Sequence, residues 1–272
     1  VGVSIFNVYA FVQNIIISFT NKKSLGQAKF VGLSNYVKLL ADAKFYQAIQ
    51  NTLLYVVICV PAVIILSLII AVALNQKIKG MGIYRTLIYL PVITLPTAVG
   101  MLWKWLFNDQ FGLINEMLAG IGINGPAWLS DPKWSLLAVC IVLIWSSIGT
   151  AVIIFLSGLQ GISTSYYEAA EIDGASKWVQ FKSITFPLIK PILKVDAVLI
   201  ITGSLKYYDL VAVMTGGGPN HATELMSTYM FYQGFRTLKY GYSAAIGVIL
   251  LLMCICAVLL SNFVFRSEKV EY

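Results

Sequence analysis

Six stretches of this chain are apolar for long enough to cross a lipid bilayer: 3–19, 52–74, 86–107, 136–159, 187–213 and 242–265. A hydrocarbon core about 30 Å thick takes about 20 residues of helix. Inside lipid a backbone must satisfy its own hydrogen bonds, which leaves the helix as the natural form for such runs. Composition agrees: only 11% of the residues are charged, where a soluble domain carries about a quarter. The expected fold is all-α, a polytopic membrane protein of six transmembrane helices forming one domain over 1–272. An even number of crossings puts both ends on the same side.

Several classes are excluded early. The net charge of +7 is spread over many loops, with no basic run interleaved with aromatics, so it suits lipid headgroups and not nucleic acid. Cys59, Cys140, Cys254 and Cys256 all fall within apolar runs, which predicts free buried thiols with neither a disulfide framework nor metal spacing. No stretch matches GxxxxGK[ST], the loop that cradles nucleotide phosphates. Gly216, Gly217 and Gly218 have no lysine following them. The single histidine, His221, has no cysteine or paired carboxylates beside it and reads as a surface residue. Neither a nucleophile constellation, a metal set nor a bound cofactor is expected, so the chain is not expected to be an enzyme. The first run lacks a small-residue cleavage pattern and reads as a span, not a signal peptide. The sequence begins at Val1 and not at Met, which leads us to expect a cytoplasmic segment ahead of it.

Between the first two runs, 35–40 and 43–49 read as short amphipathic helices at the interface. Pro61, Pro91 and Pro96 fall inside runs, where neighbouring helices or local water can satisfy the freed carbonyls; the expected kinks serve either packing or a pathway. Trp103, Trp105, Trp128 and Trp134 cluster around a polar loop and read as an interfacial belt, with sugar stacking as the alternative. Ionisable residues within spans are costly and mark functional positions by default. The fifth run holds four, Lys194, Asp196, Lys206 and Asp209. Asp196 lies about 13 Å along a helix from Pro187, with no opposite charge three or four residues away. It is expected to meet a partner on another helix or a water-filled cavity. Lys206 and Asp209, three apart, are expected to pair; internal ion pairs that merely hold helices together are the alternative for both sets. Lysine and arginine do not orient the chain. Lys77, Lys79, Arg85, Lys177, Lys182, Lys190, Arg266 and Lys269 fall on one side and about as many, including Lys22, Lys23, Lys29, Lys38 and Lys44, on the other.

The segment 160–186 stands apart, because it joins two apolar runs yet itself reads as helical and amphipathic. Ser165 and Glu168 have the spacing of a capping box. A short helix is expected to run to about Asp173, with Gly174 supplying a left-handed turn. Ser176 can cap a second short helix, which Pro187 stops or hands over to the fifth run. Ala169, Ala170 and Gly174 give this helix-turn-helix a small-residue face suited to a partner's groove. An amphipathic loop resting on lipid satisfies the same pattern.

Here the chain resembles a known family. Glu168-Ala169-Ala170, Gly174, then Ile184, Phe186 and Pro187 match the EAA loop of permease subunits of binding-protein-dependent ABC importers, with Phe186 in place of leucine the one departure. Thr215-Gly216-Gly217-Gly218-Pro219 and the segment 220–235 resemble the external loop of the maltose- and glycerol-3-phosphate-transporter-like permeases, in the first of their two permease types. Residues 30–36, FVGLSNY, are a weaker third match. The resemblance covers nearly the whole chain. It implies a carbohydrate importer permease in a bacterial or archaeal cytoplasmic membrane, with both termini cytoplasmic and the glycine-rich loop outside. It implies pairing with a second related permease, two ATPase subunits that hold the ATP and Mg, and an extracytoplasmic solute-binding protein. Glu168, Ala169, Ala170, Asp173, Gly174, Ile184 and Pro187 would couple to the ATPase. The spans flanking the EAA loop would hold an oligosaccharide or related polyol. Counting from the motif gives Ser147, Thr150, Gly203, Ser204 and Tyr207, to which the local chemistry of the fifth run adds Lys206, Tyr208 and Asp209. The competing transport class is an ion-gradient-driven secondary transporter with Asp196 as its ion site, and a structural scaffold is a third.

Overall fold

A computed structural model describes residues 2–23, 27–76 and 80–264. In chain order the helices are α1 (Gly2–Ser18), α2 (Ser34–Leu40), α3 (Ala43–Leu74), α4 (Met81–Ile93), α5 (Pro96–Leu106), α6 (Leu113–Gly120), α7 (Pro132–Gln160), α8 (Thr164–Ile172), α9 (Lys177–Gln180), α10 (Phe186–Leu205), α11 (Asp209–Met214), α12 (Met226–Phe231) and α13 (Tyr240–Val264). Wide π-turns join α9 to α10 (Phe181–Thr185) and follow α12 (Tyr232–Arg236). Among the described residues there is no strand, only one isolated antiparallel bridge between Thr20 and Phe30. The all-α expectation holds.

The runs do not all become single helices. Three are long and apolar enough to cross a bilayer by themselves: Ala43–Leu74, Pro132–Gln160 and Tyr240–Phe263. Residues 43–49 are not a separate interfacial helix; they are the opening turns of α3, which runs without a stop from Ala43 to Leu74. Pro61 and Pro191 sit inside α3 and α10 without ending them. Pro96 behaves differently. A residue before proline is pushed out of the helical region, α4 stops at Ile93, Thr94 turns extended (ψ 138°), and α5 starts afresh at Pro96. The third run is therefore broken and not kinked. The fifth run is broken as well: α10 ends at Leu205 and α11 begins at Asp209. Lys77, Lys79, Arg266 and Lys269 lie outside the described residues.

The chain divides into two compact units. The first gathers Val1–Val56, Pro96–Cys140 and Gly203–Cys256; the second gathers Val57–Leu95, Ile141–Thr202 and Ala257–Tyr272. In the second unit, Ala71 and Leu74 of α3, Val152, Phe155, Leu156 and Leu159 of α7, and Ile189 and Leu193 of α10 form one apolar core. Close approach inside each unit uses glycine. A Cβ on Gly158 would sit 2.8 Å from Ile192, and one on Gly149 would sit 2.6 Å from the Ile88 carbonyl oxygen. In the first unit α11 packs on α5, where a Cβ on Gly100 would lie 2.9 Å from Val213. Residues 30–36 fasten the end of α1: buried Asn35 donates to the carbonyls of Ser18 and Thr20, both at 2.8 Å, and Tyr36 shares a 2.7 Å hydrogen bond with Ser18.

Candidate functional site

The segment 160–186 folds in the second unit as two short helices with a turn between them. Its first cap is not the expected one. Ser163, in extended backbone (ψ 135°), is the N-cap of α8 and accepts from the Ser165 amide, while Ser165 is already inside the helix. Both serines could cap; the one with extended backbone does, since a cap must precede the first helical φ/ψ. The other end agrees with the expectation. Asp173 is the C-cap, Gly174 takes φ 72°, and the Gly174 amide bonds Glu171 O while the Ala175 amide bonds Ala170 O at 2.8 Å. Those two bonds are the Schellman arrangement, which a residue with a Cβ closes only under strain. Ser176 caps α9 by accepting from Val179.

Pro187 does not stop the helix. The Phe186 amide reaches back five residues to Phe181 O, and the wide turn absorbs the discontinuity so that α9 runs on into α10. Tyr167 and Thr185 share a 2.9 Å hydrogen bond that ties α8 to this turn. Lys177 donates to Glu171 at 2.5 Å and holds that carboxyl below its usual range. Little else covers the segment. Glu168, Ala169, Asp173 and Gly174 are exposed, and so are the apolar side chains of Ile172 (87%) and Trp178 (70%). Ile184 and Pro187 are half-buried at the root.

The glycine-rich loop lies in the first unit and is built the opposite way. Gly216 (φ 61°) and Gly217 (φ 91°) take the left-handed backbone that glycine permits; Gly218–Pro219 is a cis peptide, and Asn220 and His221 also have positive φ. Thr223 clamps the turn, sharing a 2.7 Å bond with Thr215 and donating to Gly218 O at 2.7 Å. α3 anchors it from outside: Asn51 donates to His221 O (2.9 Å) and Glu224 O (3.0 Å), and Thr52 accepts from the Met226 amide. His221 is not the free surface residue the sequence suggests. It is half-buried, and its Nδ1 meets the buried carboxyl of Glu224.

The residues expected along a solute path fall in both units. Ser147 is half-buried and Thr150 exposed on α7. In the first unit, Gly203 and Lys206 are exposed, Ser204 is buried, and Tyr207 and Tyr208 occupy the break between α10 and α11. The Tyr207 ring stacks on Tyr55 (centroids 6.3 Å apart) and its carbonyl accepts from Ser227. Tyr208 packs on Phe231 at 4.7 Å. Lys206 and Asp209 do not form the expected ion pair. The helix stops between them, so the three-residue spacing no longer places them on one face. Asp196 is 1% exposed, and among the described residues its Oδ2 has no hydrogen-bond partner; the expected partner on another helix is absent for that oxygen. The four tryptophans are not a uniform belt, for Trp103, Phe107, Trp128 and Trp134 form a ring cluster while Trp105 stays exposed.

One feature of the first unit had no sequence signal. The Asp42 carboxylate accepts from Tyr229 and Tyr242, both at 2.5 Å, across 187 and 200 residues of chain, and its other oxygen accepts from the amides of Lys44 and Phe45 at the start of α3. Burial alone would raise this carboxyl, but the hydrogen bonds outweigh it and hold the group below its ordinary value.

The family model described as "Binding-protein-dependent transport system inner membrane component" matches residues 43–269. The chain belongs to that family. Among curated relatives of this permease, the probable ABC transporter permease YurN of Bacillus subtilis is 34% identical over 264 residues, covering 95% of this chain and 90% of the relative. The lactose transport system permease LacF of Rhizobium radiobacter is 33% identical, covering 98% and 91%. A crystal structure of a bacterial ABC transporter that imports the acidic polysaccharide alginate superposes with a TM-score of 0.82 over 97% of this chain and 91% of that one; at 24% identity it speaks for the fold alone. This permease is thus a multi-pass membrane component of an ATP-driven importer and a transport subunit, not an enzyme.

Proposed function

We propose that this permease forms half of the path for an oligosaccharide or related sugar and switches between inward- and outward-facing states when partner ATPases, which hold the ATP and Mg, close. Carbohydrate is supported by relatives such as the lactose permease. A second related permease, two ATPases and an extracytoplasmic solute-binding protein complete the assembly. Six crossings (α1, α3, α4 with α5, α7, α10 with α11, and α13) leave both termini and the α8–α9 segment in the cytoplasm and the glycine-rich loop outside.

The observation that carries this reading is the unfinished surface of α8 and α9. Ile172 and Trp178 are exposed on a segment whose backbone is fully capped. A well-formed helix pair that leaves large apolar groups bare is suited to a groove on another protein. Glu168, Ala169, Ala170, Asp173 and Gly174 shape that face, while Ile184 and Pro187 root it in α10. Docking drives the switch only if the ATPase binds the two states unequally. For the solute, the break at Lys206, Tyr207 and Tyr208 is the favoured contact, with Ser147, Thr150, Gly203, Ser204 and Asp209 as further candidates. Irregular backbone in a membrane run is tolerated where it lines a cavity or is buried in protein.

The test is purification of the whole complex through a tag on this chain carrying Gly174→Trp or Glu168→Lys. Loss of the ATPase with the second permease retained supports docking through α8. Retention of the ATPase with normal sugar uptake overturns it.

A further inference from the structure

A depression of about 620 Å³ in the first unit is lined by Asn21, Lys22, Lys23, Lys38, Asp42 and Lys239, together with Tyr229, Gln233 and Tyr242. Four lysines therefore line one hollow. No ion pair among the described residues engages any of them. The one carboxylate present, Asp42, has both oxygens taken up by two tyrosine hydroxyls and two amides, which stabilise its charge without cancelling it. Against four lysines, that single negative charge leaves the hollow with an excess of positive charge.

Its position says what kind of anion it suits. The hollow lies where α1 ends and α13 begins, and these two helices touch closely. The Gly241 amide donates to Lys22 O at 3.1 Å, and a Cβ on Gly241 would lie 1.9 Å from Thr20 O. Deeper along the pair, a Cβ on Gly247 would meet Asn14 at 3.4 Å. Both helices bare apolar side chains: Phe6 (79%), Tyr9 (65%) and Ile16 on α1, Leu252 and Ile255 on α13. A basic hollow at the ends of two hydrocarbon-facing helices lies at the depth of lipid headgroups, where a phosphate can meet the lysines while acyl chains run down the apolar faces.

We propose that this hollow binds the phosphate headgroup of an anionic phospholipid, with Lys22, Lys38 and Lys239 as the principal contacts and Asn21 and Gln233 offering hydrogen bonds to the headgroup's neutral oxygens. The site requires only that the chain be a membrane component and is independent of the ATPase contact.

The test uses the complete complex in a zwitterionic detergent, with native mass spectrometry reading retained lipid as phosphatidylglycerol or phosphatidylcholine is added. The wild-type complex retains phosphatidylglycerol preferentially. The triple variant Lys22→Gln/Lys38→Gln/Lys239→Gln loses that preference, each lysine contributing about fivefold, while the arginine triple variant keeps it and Lys133→Gln, exposed elsewhere in the same unit, leaves it unchanged. Glycerol 1-phosphate, the headgroup without acyl chains, competes weakly. An unchanged preference in the glutamine triple variant overturns the proposal. So does competition by glycerol 1-phosphate at the lipid's own concentration, which would make the hollow a site for free phosphate. A glutamine variant that keeps its lipid but loses affinity for the solute-binding protein would overturn it too, assigning the lysines to an acidic protein surface.

Discussion

The glycine-rich loop and the α8–α9 segment are both punctuated by left-handed glycines, yet they end in opposite conditions. Around Gly216 and Gly217 the chain closes on itself: Thr223 and Leu225 are fully buried, Glu224 nearly so, and Asn51 and Thr52 of α3 reach in to hold the backbone. Around Gly174 the backbone is just as well satisfied, but the side chains are left bare. One loop is completed by its own subunit; the other has its backbone completed and its apolar surface left bare. A loop that must hold a fixed shape invests in long-range hydrogen bonds. A loop that must meet a partner fixes only its local backbone and keeps its apolar groups for the contact, so its substitutions should be read in assembly and not in stability.

That contrast is open to measurement, and the largest effect is expected in the closed loop. Asn51→Leu keeps the side chain's branched shape and removes its amide donors, leaving the Glu224 carbonyl unpaired in a largely buried site while the His221 carbonyl keeps the Glu224 amide at 3.3 Å. About 1–3 kcal/mol is expected for such an orphaned group, read as a lowered midpoint of thermal unfolding of the purified complex with the ATPase still bound. An unchanged midpoint would mean that the α3 anchor is incidental. In the open segment the sign reverses. Ile172→Asp removes an apolar group that is already in water, so unfolding should stay within about 0.5 kcal/mol of wild type while ATPase co-purification falls sharply. Gly174→Ala is smaller and mixed: forcing a Cβ into φ 72° costs about 1–2 kcal/mol and should weaken ATPase retention without abolishing it.

The two regions also differ in how far the sequence exposes them. Gly174, Ser176 and the EAA spacing are local signals. A helix stop, a left-handed turn and a new cap all depend on residues within a few positions, and the structure realises each of them. Even the miss is local, since Ser163 and Ser165 are chemically equivalent caps and only the backbone decides. The apolar runs likewise announce helices, because hydropathy is a property of a window of sequence. What hydropathy lacks is phase information about breaks. Nothing in the composition of 187–213 marks a stop at Leu205, and the stop is what separates Lys206 from Asp209. Pro96 breaks its run while Pro61 does not, and their sequence surroundings look alike. Long-range closure is harder still. Asn51 on His221 spans 170 residues and Tyr242 on Asp42 spans 200; a single sequence carries no record of which distant donor meets which acceptor.

The smallest expected effect is a pH dependence, and it belongs to the closed unit. Asp42 has its folded value depressed below the ordinary 3.8, against the pull of burial, by the donors Tyr229 and Tyr242 and the two amides. A carboxyl lowered on folding adds stability that is fully present above its unfolded value and is lost as pH falls through the folded one. The α1–α2–α13 corner should therefore hold near neutral pH and soften only below about pH 4. Tyr229→Phe removes one donor and brings the folded value back toward the ordinary one, so the variant should lie below wild type near neutral pH, lose less as pH falls, and converge with wild type in acid. Thermal unfolding of both complexes between pH 3 and pH 7 checks this. Parallel curves would show that the tyrosines pack against Asp42 without stabilising its charge. Glu171 supplies the matching control from the open segment: its carboxyl is also lowered, by Lys177, but at a fully solvated site, so Lys177→Gln should leave the unfolding curve unchanged across the same range. A shift there as large as that of Tyr229→Phe would erase the distinction between the two regions, since it would make the open segment's one charged contact as structural as the closed loop's network.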